Sequence, residues 1–170
     1  MKRLLIALVL VGACGTSEEQ ANQSGAEAQP GDAVADAVRT AGLTGLYEGK
    51  AGNQTNQLCI VDRGSGDARF GLVVWGGNLH SCSGTGSAVR EDGVLRLAMA
   101  GDETCTIEAT IEGGTVTLPD TVADGCAYYC GARARLTGAA FTRTGTTAED
   151  AMKAVDLVGE PLCAGMSPAG

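Results

Sequence analysis

From Leu43 onward, apolar and polar residues alternate, and turns containing glycine interrupt the alternation at short intervals. The clearest run is residues 105–112, where Ile107, Ala109 and Ile111 share one face and threonine and glutamate occupy the other. Because successive side chains of a strand point to opposite faces, this run predicts a strand with one buried face. The glycine pair at 113–114 then favours a tight hairpin turn. The repeated pattern predicts an antiparallel all-β domain.

The alternation predicts a series of short strands that follow one another along the chain. They are expected near residues 44–50, 57–63, 68–76, 79–90, 93–100, 104–112, 115–119 and 131–143. In the third of these, Val73 and Trp75 are apolar as well as the alternate residues Phe70, Leu72 and Val74, so this strand is expected to be apolar on both faces and to lie at the centre of the sheet. A meander of about eight strands predicts a small closed barrel or a sandwich.

A short peripheral helix is predicted at each end of the β-domain. The first covers residues 32–40, where Asp32 is a candidate N-cap and Gly42 follows the end. The second covers residues 147–158, where Thr147 is the candidate cap and a glycine and a proline follow.

The amino terminus combines Lys2 and Arg3, an apolar run over residues 4–11, and small residues before Cys14. This order is typical of a secretory signal, predicted over residues 1–13. Such a run rises only about 15 Å as a helix, too short for a hydrocarbon core of roughly 30 Å.

The sequence Val11-Gly12-Ala13-Cys14 resembles the lipobox of bacterial lipoproteins. The resemblance implies cleavage before Cys14, with acylation of its thiol and of the new amino terminus, and hence a stable membrane anchor. Because Gly15 is not the aspartate typical of inner-membrane retention, it also implies the outer membrane, in the leaflet facing the periplasm. The alternative is an ordinary signal peptide cut nearby, with Cys14 a leftover thiol.

Residues 15–30 contain no large apolar side chain. Such a composition cannot bury enough surface to offset its ordering entropy, so residues 14–31 are predicted to be a lipidated, disordered tether. Residues 32–170 are then predicted to form one disulfide-rich β-domain.

Six cysteines remain when Cys14 is set aside: Cys59, Cys82, Cys105, Cys126, Cys130 and Cys163. An even number in an exported chain predicts three disulfides. A zinc site is the weaker alternative, because thiolates oxidise in such a compartment and no C-x-x-C pair is present. Cys82 and Cys105 are expected at the same end of neighbouring strands and are the candidate pair. Cys126 and Cys130 bond either to each other or to separate partners.

The charge balance excludes some partners. The chain has 12 Lys and Arg against 20 Asp and Glu, and removing Lys2 and Arg3 with the signal leaves a mature net charge of −10. With no basic patch, nucleic acid is not an expected partner. Membrane association is expected to come from lipid and not from charge, whereas a cationic partner would be attracted.

Few residues suggest catalysis, and neither a cofactor nor a metal is predicted. His80 and Ser81 are strand neighbours that point to opposite faces, and no Gly-x-Ser-x-Gly motif is present. The glycine-rich residues 83–87 lack the lysine of a phosphate loop and predict a bulged or bent strand. Five acids in predicted turns are candidates for a glycosidase pair or a calcium site, although none has EF-hand spacing: Asp62, Asp67, Asp92, Asp102 and Glu103.

Tyr128 and Tyr129, together with Trp75, form the candidate recognition patch, because tyrosines between two cysteines are pre-organised. The alternative is that one ring plugs the barrel end while the other is exposed. The sequence favours a non-enzymatic, lipid-anchored module that binds an envelope protein, a glycan or an apolar ligand in the barrel mouth. An envelope hydrolase and a structural or assembly lipoprotein are the alternatives. Lipoproteins that inhibit lysozyme have a similar architecture, but their Ser-Gly-Ala-x-Tyr stretch is absent from this sequence.

Overall fold

A computed structural model describes residues 42–63 and 68–166 of the chain. Eight antiparallel strands follow one another around a closed barrel, and the last pairs with the first. The strands are β1 (Gly45–Ala51), β2 (Gln54–Asp62), β3 (Ala68–Trp75), β4 (Ser81–Glu91), β5 (Val94–Met99), β6 (Thr106–Glu112), β7 (Thr115–Thr117) and β8 (Ala140–Gly145). The predicted all-β meander is therefore confirmed, as a barrel and not a sandwich. The predicted signal, Cys14, the tether and the helix at 32–40 lie outside the described residues.

The interior of the barrel is filled by side chains from alternate strand positions. An eight-stranded barrel is just wide enough for its side chains to fill. The fully buried residues of this core include Tyr47, Leu58, Ile60, Phe70, Leu72, Leu95, Leu97, Ile107, Leu118 and Phe141.

Tyr47 is the largest of these side chains, and its hydroxyl donates a hydrogen bond to the carbonyl oxygen of Leu43 at 2.7 Å. The guanidinium of Arg143 lies 5.7 Å from the centre of its ring. Burial raises the pKa of the Tyr47 hydroxyl, because the phenolate would lose its hydration.

A second apolar cluster covers the outside of β1, β2 and β3. The residues after β8 pack on this wall and contribute Ala151, Ala154, Leu162 and Cys163 to the cluster. Leu162 lies so close to β3 that a Cβ added at Gly71 would be 2.7 Å from its Cγ. β3 is thus covered on both faces, in keeping with its apolar residues on both, but in a closed barrel no strand has the central place predicted for it.

The helix predicted at 147–158 is wrong in length, since only α1 (Ala148–Ala151) forms. Its start is as predicted: the Thr147 side chain accepts from the Asp150 amide, and the Asp150 carboxylate accepts from the Thr147 amide. Beyond α1 the amides of Lys153 and Ala154 donate to the carbonyls of Asp150 and Ala151, three residues earlier, and the amide of Val155 donates to Oε1 of Gln57 on β2. The chain then folds back, and the amide of Leu162 donates to the carbonyl of Ala154.

The strand predicted at 131–143 also begins later, at Ala140. Residues 118–139 instead form a long connection between β7 and β8, because the chain here lies across the end of the barrel. Within the described residues, no helix has the length and apolar character needed to cross a membrane.

Candidate functional site

Three disulfides pair all six cysteines of the β-domain. They join Cys59 to Cys163, Cys82 to Cys130, and Cys105 to Cys126. The predicted number of disulfides is confirmed, but the predicted Cys82–Cys105 pair is wrong, and so is a bridge between Cys126 and Cys130. The reason is that Cys82 and Cys105 do lie at one end of the barrel, where each bonds instead to the β7–β8 connection that crosses it.

We call this the cap end: it carries the β1–β2, β3–β4, β5–β6 and β7–β8 connections. The β7–β8 connection contains a 3₁₀ helix, Asp124–Tyr129. One disulfide is formed inside this helix, at Cys126, and the other at Cys130, directly after it. The helix is therefore fixed to the barrel at both sides of its two tyrosines.

Tyr129 closes the barrel at the cap end. Its hydroxyl donates to the carbonyl of Ala100 at 2.9 Å and accepts from the amide of Asp102 at 2.8 Å. Its ring fits against Gly84, where an added Cβ would lie 3.0 Å from the ring and 2.3 Å from Cε of Met99. Tyr129 is thus the ring that plugs the barrel end, as in the alternative interpretation of the sequence.

The space for this ring explains the glycine-rich residues 83–87. Their pairing with β3 continues without a register shift from Ser81 to Ala88, so the predicted bulge is wrong. Gly84 instead leaves room for the plugging ring, which a larger residue would displace.

Tyr128 is the exposed member of the pair, with 78% of its surface accessible. It meets the ring of Tyr129 edge to face, with 5.1 Å between centroids and an 87° interplanar angle. Trp75 is partly buried in the outer-wall cluster, and its amide donates to Oδ1 of Asn56 at 2.8 Å. The structure therefore assigns Trp75 to a different surface from the two tyrosines.

Leu79 is an exposed apolar residue at the cap end that the sequence interpretation missed. It lies in the β3–β4 connection and is 69% accessible. The amide of Gly77 in this connection donates to the carbonyl of Arg133 at 3.0 Å, which joins it to the β7–β8 connection. The signal that could have revealed the turn is the Gly-Gly-Asn sequence before Leu79.

A cleft of about 470 Å³ lies within the β7–β8 connection. Its walls are mainly small and apolar, with Asp124 and Arg135 as its charged residues. The other lining residues are Val122, Ala123, Cys126, Ala127, Cys130, Gly131, Ala132, Ala134, Leu136 and Thr137. Ala127 and Cys130, which flank the tyrosine pair in sequence, line the cleft, whereas the two tyrosines do not.

His80 lies at the cap end, in the β3–β4 connection. Its Nδ1 would be 2.9 Å from a Cβ added at Gly131, so the imidazole packs against that backbone. The amide of Gly131 in turn donates to the carbonyl of Ser81 at 2.8 Å. These contacts tie the β3–β4 connection to the β7–β8 connection.

The turn acids do not form one group. Asp62 and Asp92 lie at the barrel end opposite the cap, whereas Asp102 and Glu103 lie at the cap end. Asp67 is outside the described residues. Oδ1 of Asp102 accepts from the amide and the hydroxyl of Thr104, which lowers the pKa of the carboxyl.

Among residues 42–63 and 68–166, no three His, Cys, Asp or Glu side chains converge in a way that could hold a metal ion. Comparison of the chain with models of protein families, with curated proteins and with solved structures found no match. What the cap end can do must therefore be argued from its own residues.

Proposed function

We propose that this protein is a lipid-anchored lipoprotein of the cell envelope whose barrel binds a protein partner through the cap end. Acyl chains on Cys14 hold it on the outer membrane, in the leaflet facing the periplasm, and it acts by binding and not by catalysis. The lipobox resemblance supports the anchor, and the geometry of the cap end supports the binding role.

The observation that carries the binding role is the rigid exposure of Tyr128. The residue is 78% accessible, yet the disulfides at Cys126 and Cys130 fix the backbone on both sides of it. Tyrosine is favoured among the residues that dominate interface energetics. A backbone that is already held in place loses little conformational entropy on binding.

The filled core favours a surface-bound partner over an apolar ligand inside the barrel. Side chains such as Phe70, Phe141 and Leu97 are fully buried there and occupy the interior. At the cap end, Tyr128 is accompanied by an exposed leucine and two arginines of the β7–β8 connection. Tyrosine, arginine and apolar side chains together are typical of a protein interface.

Site-specific cross-linking tests the binding role. A benzophenone amino acid replaces Tyr128 in the full-length chain, cells are irradiated, and adducts are detected by immunoblotting. We expect a discrete protein adduct that protease treatment removes. The matched control replaces Val158, which is 82% accessible but lies on the residues after β8 (146–166), the C-terminal segment. Absence of an adduct at 128, an equal adduct at 158, or a protease-resistant glycan adduct would each contradict a protein partner at the cap end.

Metabolic labelling with an alkyne fatty acid tests the anchor separately. We expect the full-length chain to take up the label and Cys14→Ser to lose it. Label that persists in Cys14→Ser would show that the lipobox interpretation is wrong.

A further inference from the structure

Three connections of the barrel have positive φ at two successive central residues. These pairs are Asp92-Gly93 (48° and 84°), Gly113-Gly114 (54° and 84°) and Asn78-Leu79 (56° and 60°). In the third, the amide of His80 donates to the carbonyl of Gly77 at 3.2 Å and closes the turn. Positive φ at both central residues is the requirement of type I′ turns.

The second central residue is glycine in two of these turns and leucine in the third. In the left-handed region a Cβ crowds the following carbonyl oxygen, so leucine is disfavoured there and glycine is not. Asn78, at the first position, belongs to a residue type that tolerates this region. Burial of the side chain does not offset this backbone cost, because 69% of the surface of Leu79 is accessible. Leu79 thus lowers the stability of its turn without filling the core.

Residues that are held in unfavourable backbone conformations cluster at functional sites. The Leu79 turn is not isolated from the rest of the cap end. It bonds through Gly77 to Arg133, and the imidazole of His80 packs on Gly131, next to the disulfide of Cys130. Leu79 and Tyr128 are therefore the exposed apolar side chains of two connections that are bonded to each other.

We propose that Leu79 and Tyr128 form a two-residue apolar anchor for a protein that has an apolar pocket with a basic rim. This inference rests on the proposed binding function and specifies the partner's chemistry. The connections of the cap end carry four acids against two arginines: Asp102, Glu103, Asp120 and Asp124 against Arg133 and Arg135. With a mature net charge of −10 as well, a basic rim gives the complementary potential.

The test substitutes Leu79→Gly in the full-length chain and measures both the melting temperature and the adduct yield from benzophenone at position 128. Glycine has no Cβ to disfavour the positive φ at this position, so we expect the melting temperature to rise by about 2–4 °C. Loss of the leucine anchor should lower the adduct yield at least about fivefold. Leu79→Asn, which also tolerates positive φ, should lower the yield in the same way.

Asp92→Gly is the matched control, because Asp92 has positive φ in a similar turn at the opposite end of the barrel. We expect it to leave the adduct yield unchanged. The yield from the wild-type chain should also fall as the salt concentration rises.

The two proposals fail in different ways. An adduct at wild-type yield in Leu79→Gly, or a melting temperature lowered by several degrees, would overturn the role of Leu79 and leave the cap-end binding function standing. A yield that does not change with salt would overturn the basic rim. Absence of an adduct in every variant, including the wild-type background, would overturn the binding function itself.

Discussion

The hydroxyl of Tyr129 contributes to the stability of the fold, and this contribution can be measured separately from recognition. It makes two hydrogen bonds to the β5–β6 connection, and Phe in its place would leave the Ala100 carbonyl and the Asp102 amide without this partner. We expect Tyr129→Phe to lower the free energy of unfolding by about 1–2 kcal/mol in urea titration. The exposed neighbour gives the control, since Tyr128→Phe should change it by less than about 0.5 kcal/mol. Equal values for the two variants would contradict the assignment of Tyr129 as the plug.

Asp150 gives the C-terminal segment a dependence on pH. Its carboxylate accepts from Nζ of Lys153 and from the hydroxyl and amide of Thr147, and these bonds hold its pKa well below the usual range. A depressed pKa means that the stabilisation is present above the unfolded-state value, about 3.9, and is lost as pH falls towards the folded-state value.

We therefore expect Asp150→Asn to melt below the wild-type protein at pH 7. The gap should narrow as thermal melts are taken from about pH 4 downward, because the Asp150 carboxyl of the unfolded wild-type chain then binds a proton that the folded chain does not yet bind. A gap that stays constant down to pH 2.5 would contradict a stabilising role for the ionised carboxylate.

At the scale of the element, the C-terminal segment is covalently joined to the barrel wall by one disulfide. The Cys59–Cys163 disulfide closes 104 residues of sequence and holds the segment over β1–β3, where it covers Trp75, the only tryptophan of the chain. We expect Cys59→Ser/Cys163→Ser to shift Trp75 emission to longer wavelength and to lower the free energy of unfolding by about 3–5 kcal/mol. Cys105→Ser/Cys126→Ser, at the cap end, should leave the emission unchanged. An unshifted spectrum in the first variant would show that the segment packs without its disulfide.

Features that depend on neighbouring residues were predictable from the sequence, and features that depend on distant residues were not. Strands were predictable because a period of two follows directly from backbone geometry, and the Thr147 cap was predictable because capping is local. The path of the chain after α1 was not, because the amide of Val155 there donates to Gln57, a residue far away in sequence. The partners of Cys82 and Cys105 were not predictable for the same reason, since they depend on how residues 118–139 cross the barrel end.

At the scale of the whole molecule, the apolar core, the covered outer wall and the candidate binding surface lie in different parts of the barrel. Closure of β8 on β1 leaves no strand edge among the eight, and the filled interior supplies the apolar core. The C-terminal segment covers one outer wall, and two of the three disulfides fix the cap end. The sequence predicted the tyrosine pair as a candidate site, but the selection of Tyr128 over Tyr129 and the addition of Leu79 required the fold. Only the fold shows which ring fills the space left by Gly84.

The location of the interface is the central claim, and hydrogen–deuterium exchange tests it most directly. Exchange is measured on the purified full-length chain, alone and with the partner that cross-linking identifies. We expect slower exchange of amides in residues 77–80 and 124–133 when the partner is present. The turns at 91–94 and 112–115, at the opposite end, should be unchanged. Slowing confined to those turns, or to the C-terminal segment at 155–160, would contradict recognition by the cap end.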